Sequence, residues 1–147
     1  MKHKNNFLSY RVRHFLRSFY DKIEPIMRQK GCEKMLRSNE RIVYEMRGED
    51  LIVRIKGEID HHSAVLVRTG IDEEIMIRRP KQVLLELSSV DFMDSSGLGL
   101  IMGRYALIKQ FGGTLSVLNP SFAVVKIMKL AGMERMVPIK KTKENKE

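Results

Sequence analysis

The 147 residues are 43% hydrophobic and 31% charged, the make-up of an ordinary globular domain with room for one full core and an appendage. No apolar run approaches the roughly 20 residues of a bilayer-spanning helix. The single Cys32 excludes an internal disulfide framework and a cysteine zinc site, and the first residues show no secretory pattern, so a reducing cytoplasm is expected.

The formal net charge of +9 is uneven. Residues 1–40 hold ten Lys/Arg against four Asp/Glu, a net of +6, whereas residues 41–147 hold 17 against 14, a net of +3. The excess therefore belongs to the N-terminal segment, and nucleic acid is not expected as a direct partner. In that segment Leu8, Val12, Phe15, Phe19 and Ile23 recur at helical spacing, with Arg11, Arg13, Arg17 and Lys22 largely off the stripe. Pro25 ends or kinks this helix. Residues 1–40 read as a basic amphipathic helical extension or linker. A surface helix docked by its aromatic stripe, or an extension without function, is preferred to contact with acidic lipid or a partner.

From residue 41 to 140 the pattern is that of an α/β domain. Strands Ile42–Tyr44 and Leu51–Ile55 flank the turn-like Arg47-Gly48-Glu49-Asp50. After Gly57-Glu58-Ile59-Asp60 a helix is expected from His61 to Ile77, with Asp60 as its N-cap, and Arg79-Pro80 closes it. Val83–Leu87 reads as a buried strand leading through a short polar bend into the next helix. Leu98, Ile101, Tyr105 and Ile108 mark that helix's core face, and Gly99, Gly103 and Ala106 a small-residue face for close packing. Gly112-Gly113 stops it, Thr114–Leu118 is a strand, and Ser121 caps a helix running to about Ala131. A last strand is expected around Met136 to Ile139, and residues 141–147 form a charged tail.

The chemistry lies in Met93-Asp94-Ser95-Ser96-Gly97-Leu98-Gly99. Ser95 and Ser96 fall at a helix N-terminus, where unpaired N–H groups and the dipole favour an added anion. A phosphate on either would change the local charge by roughly −1.5 to −2. A dinucleotide fingerprint would need glycine where Met102 stands, and no Gly-Lys-Ser/Thr loop exists. A serine hydrolase could draw on Ser95 or Ser96, on His61 or His62, and on Asp60 or Asp94. However, no histidine follows the serines, so the order Ser…Asp…His is impossible; another order stays open, and hydrolysis is the minor reading. Adjacent His61 and His62 diverge by about 100° on a helix and make a poor shared metal site. No metal, cofactor or catalytic residue is expected.

Gly57-Glu58-Ile59-Asp60-His61-His62-Ser63-Ala64 and Met93-Asp94-Ser95-Ser96-Gly97-Leu98-Gly99, with Gly103-Arg104-Tyr105 beyond, resemble the motifs of the anti-sigma factor antagonists. The likeness is greatest to the sporulation members and runs from about Ile42 to Ile139. It implies the STAS fold, a mixed, mostly parallel sheet flanked by helices on one side, here with the N-terminal extension added. It implies that the first serine of the run, Ser95, accepts phosphate from an anti-sigma factor that is also a serine kinase. The unmodified protein would bind that kinase and free a sporulation sigma factor, and a serine phosphatase would reset Ser95. The implied partner surface comprises Asp60, His61, His62, Asp94, Ser96, Gly97, Leu98 and Arg104. The other member of this class of reading is a STAS interaction module for a different partner-switching system, a general-stress antagonist or a scaffold subunit.

Overall fold

A computed structural model describes residues 41–143, with Ser18 the one described position upstream. The expected stripe from Leu8 to Ile23 lies outside the described residues. Five strands form one sheet in the order of the sequence: β1 (Ile42–Arg47), β2 (Asp50–Ile59), β3 (Gln82–Met93), β4 (Thr114–Leu118) and β5 (Ile139–Lys140). β1 and β2 are antiparallel, and every later pairing is parallel. Helices α1 (His61–Arg78), α2 (Ser95–Gln110) and α3 (Phe122–Leu130) make the crossovers.

Arg47 pairs with Asp50, so the hairpin turn is only Gly48-Glu49, with Gly48 at φ +60. Glycine at the first turn position suits the twist of a two-residue hairpin. Each crossover then steps one strand in the same direction. Because such connections are right-handed, all three helices fall on one face. The packing agrees. Rows Leu51-Val83-Leu115 and Val53-Leu85-Val117 are in register across the sheet. They share one core with Val67, Ile71 and Ile75 of α1, Leu100, Ile101 and Ile108 of α2, and Val124 and Met128 of α3.

Most expected elements are present; β1 and β2 run on past Tyr44 and Ile55 to Arg47 and Ile59, and four further details differ. β3 runs on to Met93 instead of ending at Leu87, because Val90 and Met93 re-enter the core after exposed Ser88-Ser89 and Asp91-Phe92. The buried stripe of α2 is Gly97, Leu100, Ile101, Arg104 and Ile108. Leu98 and Tyr105, expected on the core face, are only partly buried. Gly99 and Gly103 were expected to permit close helix packing, yet a Cβ added at either meets nothing within 4 Å.

Finally, Met133–Arg135 forms a turn of 3-10 helix, and β5 has only two residues. The N–H groups of Met136 and Val137 bond back to the Met133 carbonyl and Pro138 has none, so before Ile139 this segment joins β4 through the Pro138 carbonyl, which accepts from the Val117 N–H (2.9 Å). Beyond β5, Thr142 is tied to Asn119, accepting from its amide nitrogen (2.5 Å) and donating its own N–H to Oδ1 (2.8 Å).

Candidate partner-binding site at two strand-to-helix junctions

Both motifs lie at the carboxyl ends of adjacent strands, where crevices form in α/β sheets. The Asp94 N–H donates to the Ile59 carbonyl at 3.3 Å, which ties one junction to the other.

At the first junction Asp60 is the N-cap of α1. Its carboxylate accepts from the N–H groups of His62 (3.0 Å) and Ser63 (2.8 Å). Ser63 Oγ accepts from the Asp60 N–H (2.9 Å) and donates to the Glu58 carbonyl (3.0 Å). This is a reciprocal capping box. The Ser63 N–H, foremost among these bonds, holds the Asp60 carboxyl below its ordinary value. Upstream, Gly57 has φ +88, and Arg41 Nη2 donates to the Glu58 carbonyl (2.9 Å). Register shifts between Arg54 and Lys56 and between Gly57 and Glu58 let β2 follow the longer β3. His61 and His62 are exposed, their rings in edge-to-face contact at 5.8 Å. Among the described residues no cluster of three or more His, Cys, Asp or Glu could hold a metal.

At the second junction Asp94 caps α2 with one bond, from the Ser96 N–H at 2.7 Å. The anion site expected at this helix end therefore already contains a carboxylate. Ser95 is the first helical residue and is exposed, and its hydroxyl makes no hydrogen bond among the described residues. Ser96 is half-buried. The N3 position that Ser63 fills in α1 is here Gly97, which is buried. A Cβ at Gly97 would lie 2.1 Å from Met93 Cγ and 3.3 Å from Ile59 Cγ2. Only glycine lets α2 begin this close to β2 and β3.

The nine candidate residues thus separate by depth. Asp60, His61, His62, Asp94, Ser95 and Ser96 lie at the two junctions, and partly buried Leu98 adjoins them. Gly97 and Arg104 sit behind that surface. Arg104 is 7% exposed, and its Nε lies 2.6 Å from Asp72 Oδ1 of α1.

Two exposed aromatics were not anticipated at the site. Phe92 (49% exposed) is the second-last residue of β3, just before Met93-Asp94. Ser121 donates its N–H to the Leu87 carbonyl (3.2 Å) and its hydroxyl to the Val90 carbonyl (2.6 Å). That brings Phe122, 83% exposed, to the same stretch of β3. The available signal was Phe92 breaking the strand's alternation and Phe122 following a cap serine.

The STAS domain model matches residues 41–145. The chain belongs to the STAS domain family, among its anti-sigma factor antagonists. It is 44% identical over 89 residues to the anti-sigma F factor antagonist of Paenibacillus polymyxa, covering 60% of this chain and 76% of that one. It is 33% identical to the anti-sigma F factor antagonist of Lysinibacillus sphaericus, covering 58% and 73%. Among solved structures it resembles the antagonist SpoIIAA in its unphosphorylated form. The TM-score is 0.62 at 30% identity, over 70% of this chain and 89% of that one. The phosphorylated form of SpoIIAA, described as a Bacillus cell fate determinant, gives 0.57 at 29% identity, over 70% and 92%. No helix among the described residues is long and apolar enough to cross a membrane.

Proposed function

We propose that this antagonist, in its unmodified form, binds an anti-sigma factor that is also a serine kinase, and so releases a sporulation sigma factor. Phosphorylation of Ser95 by that kinase ends the interaction, and a serine phosphatase restores it. The chain supplies the acceptor and the docking surface and has no catalytic part in the cycle, which runs in the cytoplasm.

The observation that carries this reading is Ser95 itself: exposed, first in α2, and without a hydrogen bond among the described residues. A kinase can reach the hydroxyl without dismantling a cap. The surroundings suit a partner, with Phe92 and Phe122 offering apolar surface and Asp60 and Asp94 fixed charge. A phosphate on Ser95 would stand beside the Asp94 carboxylate, where like charge and the cost of desolvating a dianion oppose docking. That two solved forms of SpoIIAA differ in phosphorylation supports the same cycle here.

Incubation with an anti-sigma F-type kinase and ATP is expected to add one phosphate, which mass spectrometry places on Ser95. A phosphate on Ser96, or none after productive incubation, would refute the assignment. The second reading, a general-stress antagonist, is favoured by 30% identity over 90 residues to the anti-sigma-B factor antagonist of Bacillus subtilis. Binding titrations against both kinds of anti-sigma factor separate the two, and the sporulation-type partner is expected to bind more tightly.

A further inference from the structure

The three helices take one face of the sheet and leave the other. Side chains alternate along a strand, so residues between the core rows point away from the helices. On that second face Glu45, Ile52, Leu84 and Ser116 stand in register across β1 to β4, and so do Val43, Arg54, Glu86 and Leu118. Val43, Ile52, Leu84 and Leu118 give it four apolar positions. Arg54 and Glu45 are paired at 2.6 Å, so their charges offset each other beside Ile52.

Three observations bear on what lies there. First, Ile52 is 4% exposed and Ser116 2%, and Leu84 is half-buried. Ile52 is no part of the core that the helices share. No described helix packs on its side of the sheet, so its burial calls for another layer. Second, the chain supplies a candidate. Leu8, Val12, Phe15, Phe19 and Ile23 form an apolar stripe at helical spacing, and Ser18, the one described position among residues 1–40, is helical and half-buried. Third, the dimensions agree. A helix from Leu8 to Ile23 is about 24 Å long at ~1.5 Å per residue, and four strands ~4.8 Å apart present a face roughly 15–20 Å wide. Residues 24–40 then lead back to β1, which is the edge strand of the sheet.

We infer that the N-terminal segment docks its Leu8–Ile23 stripe on the helix-free face of the sheet, over Ile52 and Leu84. The domain then has three layers, and β2 and β3 are covered on both sides, as parallel strands generally are. Arg11, Arg13, Arg17 and Lys22, largely off the stripe, stay toward solvent. The extension precedes the STAS match at residues 41–145. It acts as a partner within the chain and takes the face on which a second copy could stack.

The test uses the full chain with Cys32→Ser, so that one introduced thiol reports on one place. Leu84→Cys puts it beneath the docked helix, and Ser88→Cys, at an exposed position of the same strand, is the reference. The thiol at 84 is expected to react with a disulfide reagent at least tenfold more slowly than the thiol at 88. Phe15→Asp with Phe19→Asp, which breaks the stripe, is expected to bring the two rates together. The milder Phe19→Ala is expected to give an intermediate rate, so the result does not hinge on the double variant folding. Circular dichroism and a cooperative melt check that the sheet of each variant is intact. Equal rates at 84 and 88 without any stripe substitution would show a bare face and overturn the inference. Protection that survives the stripe substitutions would overturn it too, as would protection lost on dilution, which would assign the cover to a second copy.

Discussion

The β2–α1 and β3–α2 junctions have the same plan and opposite finish. Each ends a parallel strand in an aspartate that caps the next helix. At the first, Asp60 and Ser63 satisfy each other twice over, and Ser63 also holds the Glu58 carbonyl. At the second, Asp94 makes a single side-chain bond, N3 is a glycine, and the serine at N1 is left free. A hydroxyl built into a capping box is structural and hard to modify; one that the cap does not need is available for chemistry. The difference rests on two positions, N1 (His61 against Ser95) and N3 (Ser63 against Gly97).

The largest expected effect comes from adding a side chain at N3 of α2. Gly97→Val is expected to cost about 1–3 kcal/mol through crowding of buried Met93 and Ile59. Denaturant unfolding measures it, and an unchanged midpoint would show that the close approach is not required. Next, the same substitution at each junction contrasts them directly. Ser63→Ala is expected to lose about 1–2 kcal/mol with two hydrogen bonds, whereas Ser95→Ala is expected to stay within about 0.5 kcal/mol of the parent. Equal losses would erase the distinction drawn here.

Much of this arrangement could be read from the sequence, where the signal was local. Asp60 and Ser121 announced themselves as caps by preceding apolar runs, and Thr114–Leu118 has the observed ends of β4. The reach of β3 to Met93 was not legible. Exposed Ser88-Ser89 and Asp91-Phe92 hide a strand that pairs with β2 across two register shifts. Nor was the buried face of α2, because an arginine enters the core only when a distant acid such as Asp72 meets it. The free hydroxyl of Ser95 was equally invisible: helix-end physics treats Ser95 and Ser96 alike, the sequence favours Ser95 only through the family resemblance, and the structure adds their unequal exposure.

The cap aspartates give a smaller contrast. Asp60→Ala is expected to cost about 1–2 kcal/mol and Asp94→Ala about 1 kcal/mol, since one carboxylate accepts two N–H bonds and the other accepts one. Chemical denaturation of both variants gives the order, and a reversal would count against it. The smallest effect is one of pH. Because the folded Asp60 carboxyl sits below its ordinary value of 3.8, the unfolded chain binds its proton first as pH falls. Its contribution is present above that value and is lost as pH drops through the lowered folded one. Unfolding curves of the parent and Asp60→Asn are therefore expected to converge at the acid end. A gap that stays constant with pH would remove the carboxylate charge from the explanation.

The central claim is that a phosphate at the open junction is the switch. Titrating one purified anti-sigma kinase with the unmodified protein and with protein phosphorylated on Ser95 tests it most directly. The phosphorylated form is expected to bind at least tenfold more weakly, about 1.4 kcal/mol or more, with both forms unfolding at similar denaturant concentrations. Equal affinity of the two forms would contradict the account.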